Sequence, residues 1–195
     1  AELHALRALH LGQGDAGHTL GRIAMVRGDA VTARRWYQEI VALCRGTGHR
    51  RPVSLGLSGL AMAEAHLGDG DAARAAMDQV AALDGGIIEV FQVERDRGEA
   101  WALASTGDPA AARQTLVDAA EAAEAMGTTL LAALARVDAL RLGATDQAAP
   151  LAAAAAVVDS ELVSLAARWA AAPNAPDELA EVAAGFQELG CLMYA

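Results

Sequence analysis

A chain of 195 residues with 54% apolar content and 21% charged residues is long enough to bury a core and polar enough to face water. Its net charge of −10 repels a phosphate backbone, which excludes this segment as a direct nucleic-acid contact. The longest apolar run, residues 148–158, is alanine-rich and well short of the ~20 residues a bilayer span needs, so no membrane association is expected.

The charge is uneven: residues 1–52 hold eight Arg against four acids, and residues 53–195 hold seven Arg against 21 acids. All 15 basic residues are Arg. Cys44 and Cys191 lie far apart in apolar helical contexts without metal-ligand spacing, which fits a reducing, cytoplasmic compartment better than a disulfide framework. The opening "AELHALRALH" reads as the middle of an amphipathic helix with no leader, and "FQELGCLMYA" stops just after a helix would have restarted. Both ends read as cuts, and residues 1–195 are expected to be a single helical-repeat domain excised from a longer protein.

The first punctuation is "GQGDAG", residues 12–17, which fits the glycine pattern of dinucleotide-binding turns. Such a turn follows a strand, whereas "HALRALHL" before it is helix-like, so an interhelical loop is expected instead. From there the chain reads as helix almost throughout, because alanine dominates and β-branched and aromatic residues are sparse. Breaks fall at Gly28-Asp29, Gly68-Asp69, Gly107-Asp108 and Gly143, separated by 40, 39 and 36 residues. Each Gly is expected to end one helix in a left-handed conformation, and each Asp to cap the next.

The register after every break is the same. Ala33, Ala73, Ala112 and Ala148 lie five residues beyond the Gly, and Tyr37, Met77, Leu116 and Ala152 nine beyond it. Positions four apart share a helical face, so a small residue marks where two helices touch and a larger one fills the gap beside it. Leu20-Gly21, Leu60-Ala61 and Ala100, seven or eight residues upstream of their Gly, complete a two-helix unit. Units are expected at roughly 16–46, 52–84, 88–126 and 128–158, with a degenerate fifth at 160–190, where Pro173-Asn174 replaces Gly-Asp. The fold class is all-α, about four to five antiparallel helix pairs stacked one on the next.

Leu20-Gly21, Gly28-Asp29, Ala33 and Tyr37, and again Leu60, Gly68-Asp69, Ala73 and Met77, resemble the small and large signature positions of the tetratricopeptide repeat, although that repeat is typically about 34 residues long. The resemblance implies a right-handed superhelix. Residues 97–143, with "VVDSELVSLAARWA" and "ELAEVAAGFQELG" after them, are similar to the C-terminal helical repeats of large ATP-binding LuxR-type transcriptional regulators. In that family an NTPase module precedes the repeats, a helix-turn-helix follows them, and the repeats sense an inducer or a partner protein. The alternative is a stand-alone tetratricopeptide adaptor or scaffold.

Motifs for catalysis or metal binding are weak. Asp69 and Asp71 alternate as the first ligands of a calcium loop would, but Val80 stands at the twelfth position, where a bidentate carboxylate is required. His4, His10, His18, His49 and His66 show no paired ligand spacing, and no serine sits in a GXSXG turn. A non-catalytic segment without a cofactor is expected. The tetratricopeptide resemblance places Arg22, Met25, Met62, His66, Arg97, Trp101, Val137 and Arg141 on the lining of an inner groove. Met and Trp would supply apolar contact and Arg would anchor an anion or an acidic peptide. The expected partner is a protein or a small-molecule inducer, with self-association as a further option.

Overall fold

The computed structural model describes residues 15–46, 48–83 and 91–195, and every regular element among them is helical. The α-helices are α1 (Asp15–Val26), α2 (Ala30–Arg45), α3 (Arg50–His66), α4 (Gly70–Ala81), α5 (Gln92–Ser105), α6 (Pro109–Ala125), α7 (Thr129–Arg141), α8 (Ala148–Ala155), α9 (Glu161–Ala171) and α10 (Pro176–Glu188). They pair within the expected units. Gly12 and Gly14 of the glycine-rich stretch lie outside the described residues, while Gly17 belongs to α1.

The punctuation works through the backbone. Gly28, Gly68 and Gly107 take φ values of 78°, 83° and 98°, a region closed to most side chains. That rotation lets the N–H groups of Asp29, Asp69 and Asp108 donate back to the carbonyls of Ala24, Glu64 and Leu103, each at 2.9 Å. The three carboxylates then accept from the N–H groups of Thr32, Ala72 and Ala111 at 2.9, 2.9 and 3.0 Å, starting the next helix. Asp69 is therefore a cap, and no cluster of three potential metal ligands occurs among the described residues. The same backbone turn recurs at Gly127, Gly143 and Gly190. Gly127 joins α6 to α7, so it lies between units and escapes a count of turns inside them.

The odd-numbered helices form one layer, with α1 on α3, α3 on α5, α5 on α7 and α7 on α9, and each also packs on its even partner. Small residues set these distances. Ala33, Ala73 and Ala112 are fully buried, and Tyr37, Met77 and Leu116 fill the adjacent spaces as their register predicts. The Tyr37 ring lies between Gly21 and Gly59, where an added Cβ would come within 2.6 and 2.5 Å of its Cζ. An aromatic ring spaces α1 from α3 only because neither helix carries a side chain at the contact.

The fourth unit departs from the expected register. A 3-10 turn at Thr145–Gln147 follows Gly143 and delays α8, so Ala152 is exposed and Ala148 only partly covered. Leu151 and Ala154 take the buried positions instead. In the fifth unit Pro176 opens α10, where a missing N–H costs nothing. None of the described helices is long and apolar enough to cross a membrane.

Ala112 touches neighbouring atoms on every side, so Ala112→Leu is expected to overpack α5 against α6 and cost about 1–3 kcal/mol in chemical denaturation. A midpoint unchanged from the parent would contradict this packing.

Candidate functional site

Charged side chains are concentrated inside the odd-helix layer. Arg22 on α1 approaches the Glu94 carboxylate on α5 at 3.1 Å, and Glu94 accepts from Arg97 Nη1 at 3.2 Å. Arg97 Nε donates to Asp138 on α7 at 2.8 Å, and the other Asp138 oxygen accepts from Arg141 at 3.3 Å. Asp138 is wholly buried and Glu94 and Arg97 nearly so, with exposures of 0%, 4% and 5%. The chain of charges alternates in sign, and three guanidiniums face two carboxylates.

At the α7 end the network reaches aromatic groups. The guanidinium of Arg141 lies 4.6 Å from the centre of the Trp101 ring and 5.6 Å from that of Tyr194, within the range of cation–π attraction. His66 stacks on Trp101 with ring centres 4.2 Å apart. His66 Nδ1 lies 2.8 Å from the Met62 carbonyl, and Nε2 lies 3.0 Å from Arg141 Nη2. A carbonyl only accepts and a guanidinium only donates, so the geometry requires the neutral tautomer protonated at Nδ1.

The electrostatics agree with this arrangement. Burial works against ionising Glu94, but Arg97, Arg22 and His18, with the hydrogen bond from Arg97, hold the carboxyl below its ordinary range. Burial also works against the charge on Arg97, and Asp138 and Glu94 more than reverse the effect. The Tyr194 phenol is pushed up to about 12 by burial, with Asp138 adding to it. His66 is driven downward by burial and then by Arg141.

Of the eight residues assigned to the groove, His66, Arg97, Trp101 and Arg141 meet in this cluster, and Arg22 closes its other end with a half-exposed side chain. Met25, Met62 and Val137 are buried, at 3%, 5% and 0% exposure, and form part of the core beneath it. The acidic partners were not singled out in the sequence, although Glu94-Arg97 and Asp138-Arg141 both show the three-residue spacing of a helical ion pair. Tyr194 and Met193 have no such signal, because they arrive from residues remote in sequence. Arg74, which would read as a solvated outer residue, instead grips Glu99 of α5 with two bonds of 2.6 and 2.8 Å.

A second buried guanidinium, Arg136, bonds both oxygens of Glu124 at 2.9 and 2.8 Å and Gln147 at 2.8 Å. It ties α6, α7 and the 3-10 turn together behind the layer. No family model, no curated protein and no solved structure matches this chain. The class established is therefore the architectural one, an all-α fold across the described residues in which helices adjacent in sequence pack together.

Removing Asp138 takes the carboxylate partner from Arg141 and leaves Arg97, which is buried, with Glu94 alone. Asp138→Ala is expected to cost about 3–5 kcal/mol, as breaking a buried pair does, whereas Arg168→Ala, at a solvent-screened pair with Glu178 and Glu181, should barely move the midpoint. Urea titration of both variants measures the difference.

His66 also makes stability depend on pH. Its folded pKa lies below the ordinary 6.5, so the unfolded chain takes up the proton first as pH falls. Its contribution is complete above pH 6.5 and declines as the pH drops toward the folded value, with a slope of at most about 1.4 kcal/mol per pH unit. His66→Gln should flatten the loss of stability between neutral and mildly acidic pH, as read from denaturation midpoints.

Proposed function

We propose that this chain is a non-catalytic binding region, the sensory repeats of a large ATP-binding LuxR-type transcriptional regulator working in the cytoplasm. The helix pairs form a right-handed superhelix, and the odd-numbered layer is its inner face. A protein partner or a small-molecule inducer bound there shifts the balance between resting and active assemblies. The observation that carries this reading is the odd-layer charge network ending in Arg141 between Trp101 and Tyr194.

The chemistry of the cluster supports recognition over turnover. Glu94 and Asp138 each pair with guanidiniums, an arrangement that gives a fixed field for binding. The surplus guanidinium favours a negative group on the ligand, with an apolar body beside it.

Two measurements bear on this function. The continuous reading frame should encode an NTPase module before these repeats and a helix-turn-helix after them; a frame with neither would leave an adaptor or scaffold. For an inducer recovered by screening, Arg141→Ala should weaken binding by roughly ten- to a hundredfold. Substitution of the exposed Arg35 should leave affinity unchanged in calorimetry. Equal affinity for both variants would remove the inner face as the site.

A further inference from the structure

The odd-helix face is not empty: residues 191–195 cross it. Past the Gly190 turn, the Met193 N–H donates to the Val26 carbonyl at the end of α1 at 3.1 Å, joining the last helix pair to the first. Met193 packs on the cluster of Met25, Tyr37 and Met62, while Tyr194, 7% exposed, lies against Phe186 with ring centres 5.6 Å apart and beneath Arg141. The segment, a turn closed by the Tyr194 N–H donating to the Cys191 carbonyl, therefore touches the odd-helix layer at α1, α3 and α7.

We propose that Leu192–Tyr194 is a displaceable internal occupant of this groove, and that a partner segment of the same chemistry, an aliphatic or methionine side chain followed by an aromatic one, takes its place. The proposal rests on the inner face being a binding surface, and it adds how that surface is kept closed. Three features set the segment apart from ordinary core. Among the described residues, Met193–Val26 is the one backbone hydrogen bond from the segment to the odd-helix layer, those at Cys191 and Tyr194 being local. Leu192, just before the two anchors Met193 and Tyr194, is 55% exposed. The fit is incomplete, since a cavity of about 30 Å³ remains between Met193, Tyr194, Arg22, Glu94 and Arg97, room for a water beside polar groups.

A tethered occupant competes at an effective concentration in the millimolar range, so it masks the groove from any partner of modest affinity. Apparent affinity then falls by the fraction of molecules with the groove open. Removing the anchors without removing the groove should restore it.

The probe is a fluorescent peptide of residues 187–195 with Cys191→Ser, titrated by anisotropy against the parent and a Met193→Ala/Tyr194→Ala double variant. The double variant, with the parent's helicity by circular dichroism, is expected to bind at least tenfold more tightly. Equal affinity in two folded proteins would overturn the proposal. Should the double variant lose helicity, the parent alone decides. In hydrogen exchange with about 5 mM unlabelled peptide, the Met193 amide is expected to lose protection while the Cys191 amide, bonded locally to Phe186, keeps it. Unchanged protection at Met193 would overturn the proposal. A reading frame without regulator modules would end the LuxR-type assignment and leave this result standing, whereas failure of the peptide tests would leave that assignment to the gene.

Discussion

Asp138, with no exposure, sits between two guanidiniums, Arg97 of α5 and Arg141 of α7. That pairing fixes the crossing of α5 and α7. It also fixes everything stacked on Arg141, because the guanidinium that serves Asp138 is the one lying on Trp101 and Tyr194 and facing His66. Buried ion pairs contribute little net stability once desolvation is counted, but a misplaced one is costly. In a stack of alanine-rich helices, where apolar faces slide past one another at small cost, such a pair selects one register from many. We regard this as the role of the network in the fold, alongside its proposed role in binding.

Around that constraint the packing is arranged by absence of side chains. Gly98 on α5 leaves space where a Cβ would meet the Ser58 carbonyl of α3 at 2.7 Å, and Gly21 and Gly59 make room for Tyr37. Close approach of the odd helices brings Arg22, Glu94 and Arg97 within reach of one another across three units of chain. Small residues and buried charges are thus two parts of one solution: without the first the helices stand too far apart for the pairs, and without the second nothing holds the close approach in register.

The segment across the odd-helix layer gives the stack a property that a simple array lacks. In a linear repeat protein each unit contacts only its neighbours, and stability is nearly a sum of local terms. Here the hydrogen bond from Met193 to Val26 and the contacts of Tyr194 couple the fifth pair to the first and fourth. Breaking that contact would be felt in the first and fifth pairs at once.

The all-helical class, the pairing of helices and the turns at Gly28, Gly68 and Gly107 were legible in the sequence because each depends on residues within a few positions of one another. The same holds for the buried Ala33, Ala73 and Ala112. The register of α8 was not legible, since the 3-10 turn after Gly143 carries no glycine or proline of its own to announce it. Several candidate groove residues were named from a repeat pattern, yet which of them would be core and which would share the cluster depended on partners 41 or 75 positions away, as in Arg97–Asp138 and His66–Arg141. The seating of Tyr194 beneath Arg141 was decided only by the tertiary structure. Local backbone preferences act through covalent neighbours and leave their mark in sequence spacing, whereas charge pairing and groove filling act through space, and the path of the chain determines who meets whom.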